Sequence, residues 1–95
     1  MEERAQVVES LLKVLANKNR LLILCELIKG SMTVGDIAKG VNGISQSALS
    51  QHLALLKAHG IVEAKKTGQN VIYTIADSRV LVILNVLKQY YCSPE

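Results

Sequence analysis

From Val7 to Leu15 the apolar residues Val7, Val8, Leu11, Leu12, Val14 and Leu15 recur at helical spacing, which predicts a first amphipathic helix closed by "ANKN". Asn17 or Asn19 can cap a second helix over "RLLILCELI", Arg20 to Ile28, where Leu21, Cys25 and Ile28 form one stripe widened by Leu24 and Leu27. Gly30 stops it. "TVGD", Thr33 to Asp36, has the form of a capping box: Thr33 sits at the N-cap, with the Asp36 carboxylate returning to a free backbone N–H. The short helix it opens runs to about Gly40. In the turn "VNGIS", Asn42-Gly43 suits positive backbone angles and Ser45 is placed to cap a further helix.

That helix carries the most information. Leu49, Leu53 and Leu56 at i, i+4 and i+7 face inward, so Gln46, Ser47, Ser50 and Gln51 face outward. Solvated helix faces more often carry Glu and Lys; this one presents short donors and acceptors. After Gly60, "IVEAKK" and "VIYTI" are rich in β-branched residues and flank "TGQN", the pattern of a hairpin with a polar, partly basic tip. Asp77 stands at an N-cap position before "SRVLVILNVLKQYYC", a last helix apolar on nearly every side. A small domain cannot bury all of Val80, Leu81, Val82, Ile83, Leu84, Val86 and Leu87, which predicts a homodimer built on this helix, with the first helix joining. The fold class is mainly α with a small β-hairpin.

Composition narrows the picture. With 95 residues, 49% hydrophobic, 20% charged and a net charge of +3, the chain is expected to form one compact domain of mildly basic character, near the size at which dimerisation helps stability. The opening "MEERAQ" lacks a secretory pattern, so a cytoplasmic location is expected. Apolar runs broken by Glu26, Lys29, Asn85 and Lys88 fall far short of the roughly 20 residues that span a bilayer, and no membrane association is expected. The sequence contains no paired-carboxylate site, nucleophile motif, phosphate loop or full set of metal ligands, so neither enzymatic function nor a cofactor is expected. One His beside Gln51, His52, makes no metal site by itself. His59 lies near a helix end, where a cation suits the dipole.

A short helix, a glycine-containing turn and a second helix with outward polar side chains make a helix-turn-helix, and the hairpin after it makes a wing. Such a helix enters the major groove of double-stranded DNA. Gln51 can pair with adenine through its amide, Ser47 and Ser50 can bond to base edges or phosphates, and Gln46 lies at the end that goes deepest. At the hairpin, Lys65, Lys66, Thr67, Gln69 and Asn70 can track the phosphate backbone or the minor groove. From Thr33 to Ile75, Lys39, Lys57, Lys65 and Lys66 stand against Asp36 and Glu63, so much of the positive excess lies here. A solvated face, or a winged helix that docks protein instead of DNA, is the alternative reading of the same residues.

Taken together, "LANKNRLLILCEL", "TVGDIAKGV", "SQSALSQHLALLKAHGIVEAKKTGQNVIYTI" and "LKQYYC" resemble the ArsR/SmtB family of bacterial winged-helix repressors across essentially the whole chain. The resemblance implies a winged helix-turn-helix homodimer joined through its first and last helices. It further implies a near-palindromic operator, release from DNA by an inducer, and DNA contacts at Gln46, Ser47, Ser50, Gln51 and His52, with wing contacts from Lys65 to Asn70. Lys18 departs from the pattern, since many relatives have proline there.

The inducer is read by comparison within that family. Many members sense metals through a cysteine pair at the start of the short helix; here that place reads Met32-Thr33-Val34-Gly35-Asp36. Others use acid and histidine pairs on the last helix, which after Asp77 offers Arg79 and no histidine. "ILCEL" and "YYC" instead put Cys25 and Cys92 where the resemblance implies the dithiol subgroup that senses persulfides and other reactive sulfur species. A metal or a general oxidant remains the alternative inducer. Taken alone, Cys25 reads as a small apolar core residue, because cysteine is among the most buried types; its occurrence together with Cys92 favours the sensor.

Overall fold

In the computed structural model, residues 1–91 are described, Tyr91 by its backbone alone; Cys92 lies outside the described residues. The chain runs α1 (Glu2–Leu15), α2 (Lys18–Ile28), β1 (Met32–Thr33), α3 (Val34–Gly40), α4 (Gln46–Ala58), β2 (Val62–Thr67), β3 (Asn70–Ile75) and α5 (Ser78–Tyr91).

Helix starts obey local chemistry. Asn17 accepts the Arg20 N–H at 3.0 Å, Thr33 accepts the Asp36 N–H at 3.2 Å, and Ser45 accepts the Ala48 N–H at 3.1 Å, each meeting one of the donors a helix leaves orphaned at its first turn. The predicted return bond from Asp36 is replaced by an ion pair with Lys39 at 3.9 Å. At the other end of α4 the chain stops in a Schellman arrangement. Gly60 adopts φ +72°, its N–H reaches the Lys57 carbonyl, and the Ile61 N–H reaches the Leu56 carbonyl at 3.0 Å. Ile61 and Leu56 are both fully buried, which supplies the hydrophobic contact that completes the motif.

The sheet is antiparallel with order β1-β3-β2. Strand β2 pairs with β3 from Val62↔Ile75 to Thr67↔Asn70, leaving Gly68-Gln69 as a two-residue turn with Gly68 at φ +64°. The strands therefore extend into "TGQN" by one residue at each end. Strand β1 has no counterpart in the sequence pattern: Met32 and Thr33 pair with Tyr73 and Ile72, a long-range partnership that no local signal announces.

The core gathers Val14 and Leu15 from α1, Ile23, Leu24 and Leu27 from α2, Ile37, Val41, the α4 stripe Leu49, Leu53 and Leu56, Ile61, Val62, and Val80 and Leu84 from α5. Packing corrects three expectations. The buried stripe of α2 is Ile23, Leu24 and Leu27, whereas Leu21, Cys25 and Ile28 are half-buried, because α2 is turned by packing on α3, α4 and α5 at once. Helix α1 begins at Glu2, five residues before the apolar pattern becomes legible. In the turn, Gly43 alone carries the positive angle, φ +77°; Asn42 does not.

Candidate nucleic-acid interface

The helix-turn-helix consists of α3, a turn anchored by buried Val41, and α4. With Leu49, Leu53 and Leu56 sealed into the core, the helical period exposes Gln46, Ser47, Ser50 and Gln51, and all four are exposed as predicted. Gln46 is the first residue of α4, so it stands where the positive end of the helix dipole also lies. His52 differs from the other four. It is half-buried at the margin of that face, and its Nδ1 lies 3.4 Å from Nη1 of Arg20 on α2.

Ile61 connects this helix to the wing. Its carbonyl accepts the Ala76 N–H at 2.8 Å, so the end of α4 and both ends of the hairpin meet at one residue. Beyond that anchor, Lys65, Lys66, Thr67, Gln69 and Asn70 are all exposed. Two other lysines are engaged by carboxylates: Lys39 pairs with Asp36, and Lys29 with Glu26 at 3.1 Å. Among the described residues, Lys57, Lys65 and Lys66 enter no ion pair, so their charge is available to an acidic partner.

Cys25 is half-buried on α2. Its proposed companion Cys92 falls outside the described residues. No group of three or more His, Cys, Asp or Glu side chains that could hold a metal ion occurs among the described residues. Nor is any described helix long and apolar enough to cross a membrane. The residue that sequence reading missed is Arg20, which opens the run "RLLILCELI" and whose side chain touches both α1 and α4; no periodicity distinguishes it from a solvated arginine.

Five helices, a three-stranded antiparallel sheet and a polar-faced helix leading into an exposed hairpin define a winged helix-turn-helix protein. Residues 17–64 match the family model described as bacterial regulatory protein, arsR family. Transcriptional activator HlyU of Vibrio cholerae is 40% identical over 92 residues, covering 97% of this chain and 84% of the relative. The biofilm growth-associated repressor of Xylella fastidiosa is 35% identical over 95 residues, covering 100% and 82%. Among solved structures, reduced HlyU from Vibrio cholerae superposes with a TM-score of 0.91 at 40% identity, covering 98% of this chain and 97% of that one. A homodimeric winged helix-turn-helix DNA-binding domain from Mycobacterium bovis does so with a TM-score of 0.76 at 30% identity, covering 94% and 84%. The chain belongs to the ArsR family of bacterial transcriptional regulators.

Proposed function

We propose that this chain is a homodimeric repressor that reads a near-palindromic operator through α4 and the wing, and that sulfur chemistry at Cys25 and Cys92 releases it. The observation that carries the DNA-reading part is the outward face of α4, uncharged at Gln46, Ser47, Ser50 and Gln51, beside Lys57, Lys65 and Lys66 that no carboxylate among the described residues neutralises. Amides and hydroxyls discriminate base edges, and unpaired lysines collect phosphates. His52 stands at the edge of the reading face, and Thr67, Gln69 and Asn70 complete the wing contact.

Dimerisation is supported by what the monomer leaves uncovered. Val7, Val8 and Leu12 on α1 are half-exposed or more, and Leu81, Val82, Val86 and Leu87 line exposed parts of α5. An apolar surface of this kind is covered at small cost by a second copy, and two copies present two reading helices to two half-sites. The homodimeric relative from Mycobacterium bovis points the same way.

In the release step, a cysteine thiolate attacks the outer sulfur of a small-molecule persulfide, forming a protein persulfide and expelling the donor's thiolate. A second such transfer lengthens the chain. The other cysteine, as thiolate, then attacks a chain sulfur and expels hydrosulfide, closing a polysulfide bridge. Such a bridge biases the dimer away from its DNA-binding geometry, and it spans separations that a plain disulfide does not.

Peptide mass spectrometry after treating the reduced protein with a persulfide donor, paired with DNA titrations before and after, tests the whole reading. A linked Cys25–Cys92 peptide carrying added sulfur, with weakened DNA binding, is the expected result. Unmodified cysteines would remove the thiol switch; zinc or copper bound in stoichiometric amount with loss of DNA affinity would put a metal in its place. Affinity for DNA that is absent at low salt would remove the DNA-reading proposal itself.

A further inference from the structure

Arg20 is the third residue of α2, and its backbone N–H is already taken by the Asn17 cap. Its guanidinium is therefore not a helix-start device. Nε donates to the Val14 carbonyl at 2.6 Å, and Nη1 approaches His52 Nδ1 at 3.4 Å. Val14 lies in the last turn of α1, where carbonyls lack intrahelical partners and a cation is favoured by the dipole. His52 lies midway along α4, next to Gln51. One side chain thus spans from the end of α1 to the middle of α4.

This contact favours one tautomer. Arginine has five N–H donors and no acceptor, so here Nδ1 of His52 is the acceptor and carries no hydrogen. In that arrangement the ring N–H sits on Nε2, a donor suited to a phosphate oxygen.

We infer that Arg20 is a positioning residue for the DNA-reading helix: by holding the Val14 carbonyl and the His52 ring together, it sets the rotation of α4 about its own axis relative to α1. The core leucines of α4 define which face is inward, but apolar packing is non-directional and tolerates small rotations. A charge-assisted hydrogen bond at one end and an imidazole at the other give the direction that packing lacks. Because α1 belongs to the proposed dimer interface, the link also ties the reading face to dimer geometry. This inference rests on the DNA-reading proposal above.

The test uses the full-length protein and a duplex that the wild type enriches from a random-sequence pool, compared with an unrelated duplex of equal length. The readout is the ratio of the two affinities, in which any loss of a phosphate contact cancels. Arg20→Lys keeps the charge and loses the fork; the ratio is expected to fall about tenfold with an unchanged salt slope, because misplaced readers cost specificity first. His52→Phe should lower the ratio comparably. His52→Asn, whose side-chain oxygen offers the guanidinium an acceptor near the place of Nδ1, should lower the ratio less than His52→Phe does. These two variants keep the inference testable if Arg20→Lys fails to fold.

An unchanged ratio in Arg20→Lys or in His52→Phe overturns the positioning role. So does an equal loss on both duplexes, which would make Arg20 a phosphate contact. If the wild type enriches no duplex at all, the DNA-reading proposal falls, and this inference with it; if the wild type enriches one and the variants do not differ, Arg20 alone is wrong.

Discussion

At the start of α5 the Arg79 guanidinium grips the Asp77 carboxylate with two prongs, Nη2 to Oδ2 at 2.7 Å and Nε to Oδ1 at 3.0 Å, while the Arg79 N–H also donates to Oδ1 at 2.9 Å. One carboxylate therefore caps the helix and holds its own cation. The side-chain hydrogen bonds from Arg79, opposed by partial burial and reinforced by its backbone N–H and its charge, lower the Asp77 pKa from 3.8 to about 2.

A pKa lowered in the folded state stabilises the fold above the unfolded value, and that contribution disappears as pH falls through 3.8 toward about 2. Asp77→Asn keeps an oxygen for the cap and removes the charge. Thermal melting should show wild type losing stability more steeply than Asp77→Asn across that acid window, with the gap between them closing by its lower end. Parallel curves would mean that the pair adds nothing to folding.

Gln51→Ala and Lys66→Ala should fail in different ways. Gln51 is exposed in the middle of the α4 face, and its loss is expected to cost about 1 to 3 kcal/mol on the preferred duplex and to relax choice at one base position. Lys66, exposed on β2, should weaken binding to all duplexes alike and lower the salt slope by about one. Fluorescence anisotropy at several salt concentrations separates the two; identical behaviour would refute the docking model.

Val82, 63% exposed on α5, belongs to the apolar surface proposed as the dimer interface. Val82→Lys would bury an unpartnered charge there, and a penalty of a few kcal/mol should weaken self-association by about a hundredfold or more. Sedimentation velocity should show a folded monomer with reduced affinity for a two-half-site duplex. An unchanged dimer would move the interface elsewhere.

The wing turn depends on Gly68 at φ +64°, and a Cβ there would meet no heavy atom within 4 Å. Gly68→Ala therefore isolates backbone strain from crowding, and about 1 kcal/mol of stability should be lost. The urea midpoint should fall without a change in slope. No shift would show that the turn relaxes into another type.

Much of the candidate site was legible because its determinants are local. Asn17, Thr33 and Ser45 cap helices through bonds to residues three positions on, and the Leu49, Leu53, Leu56 stripe assigns the α4 face by period alone. The same period misassigned α2. Apolar residues lie on several sides of that helix, and Ile23, absent from the predicted stripe, became fully buried once α3, α4 and α5 packed around it. Cys25 was left half-buried as a result, short of the core position its stripe suggested.

The sequence by itself determined the order of the helices, the caps, the Gly60 stop, the hairpin and the excess of apolar surface on α1 and α5, since each depends on residues within a few positions of one another. Only the tertiary structure decided that Met32-Thr33 joins β3 as a third strand, which side of α2 is sealed, and that Arg20 reaches from Val14 to His52. The physical reason is range. Capping and periodicity act along the chain, whereas strand pairing, helix rotation and a bridging guanidinium depend on which distant segments packing brings within a few ångströms.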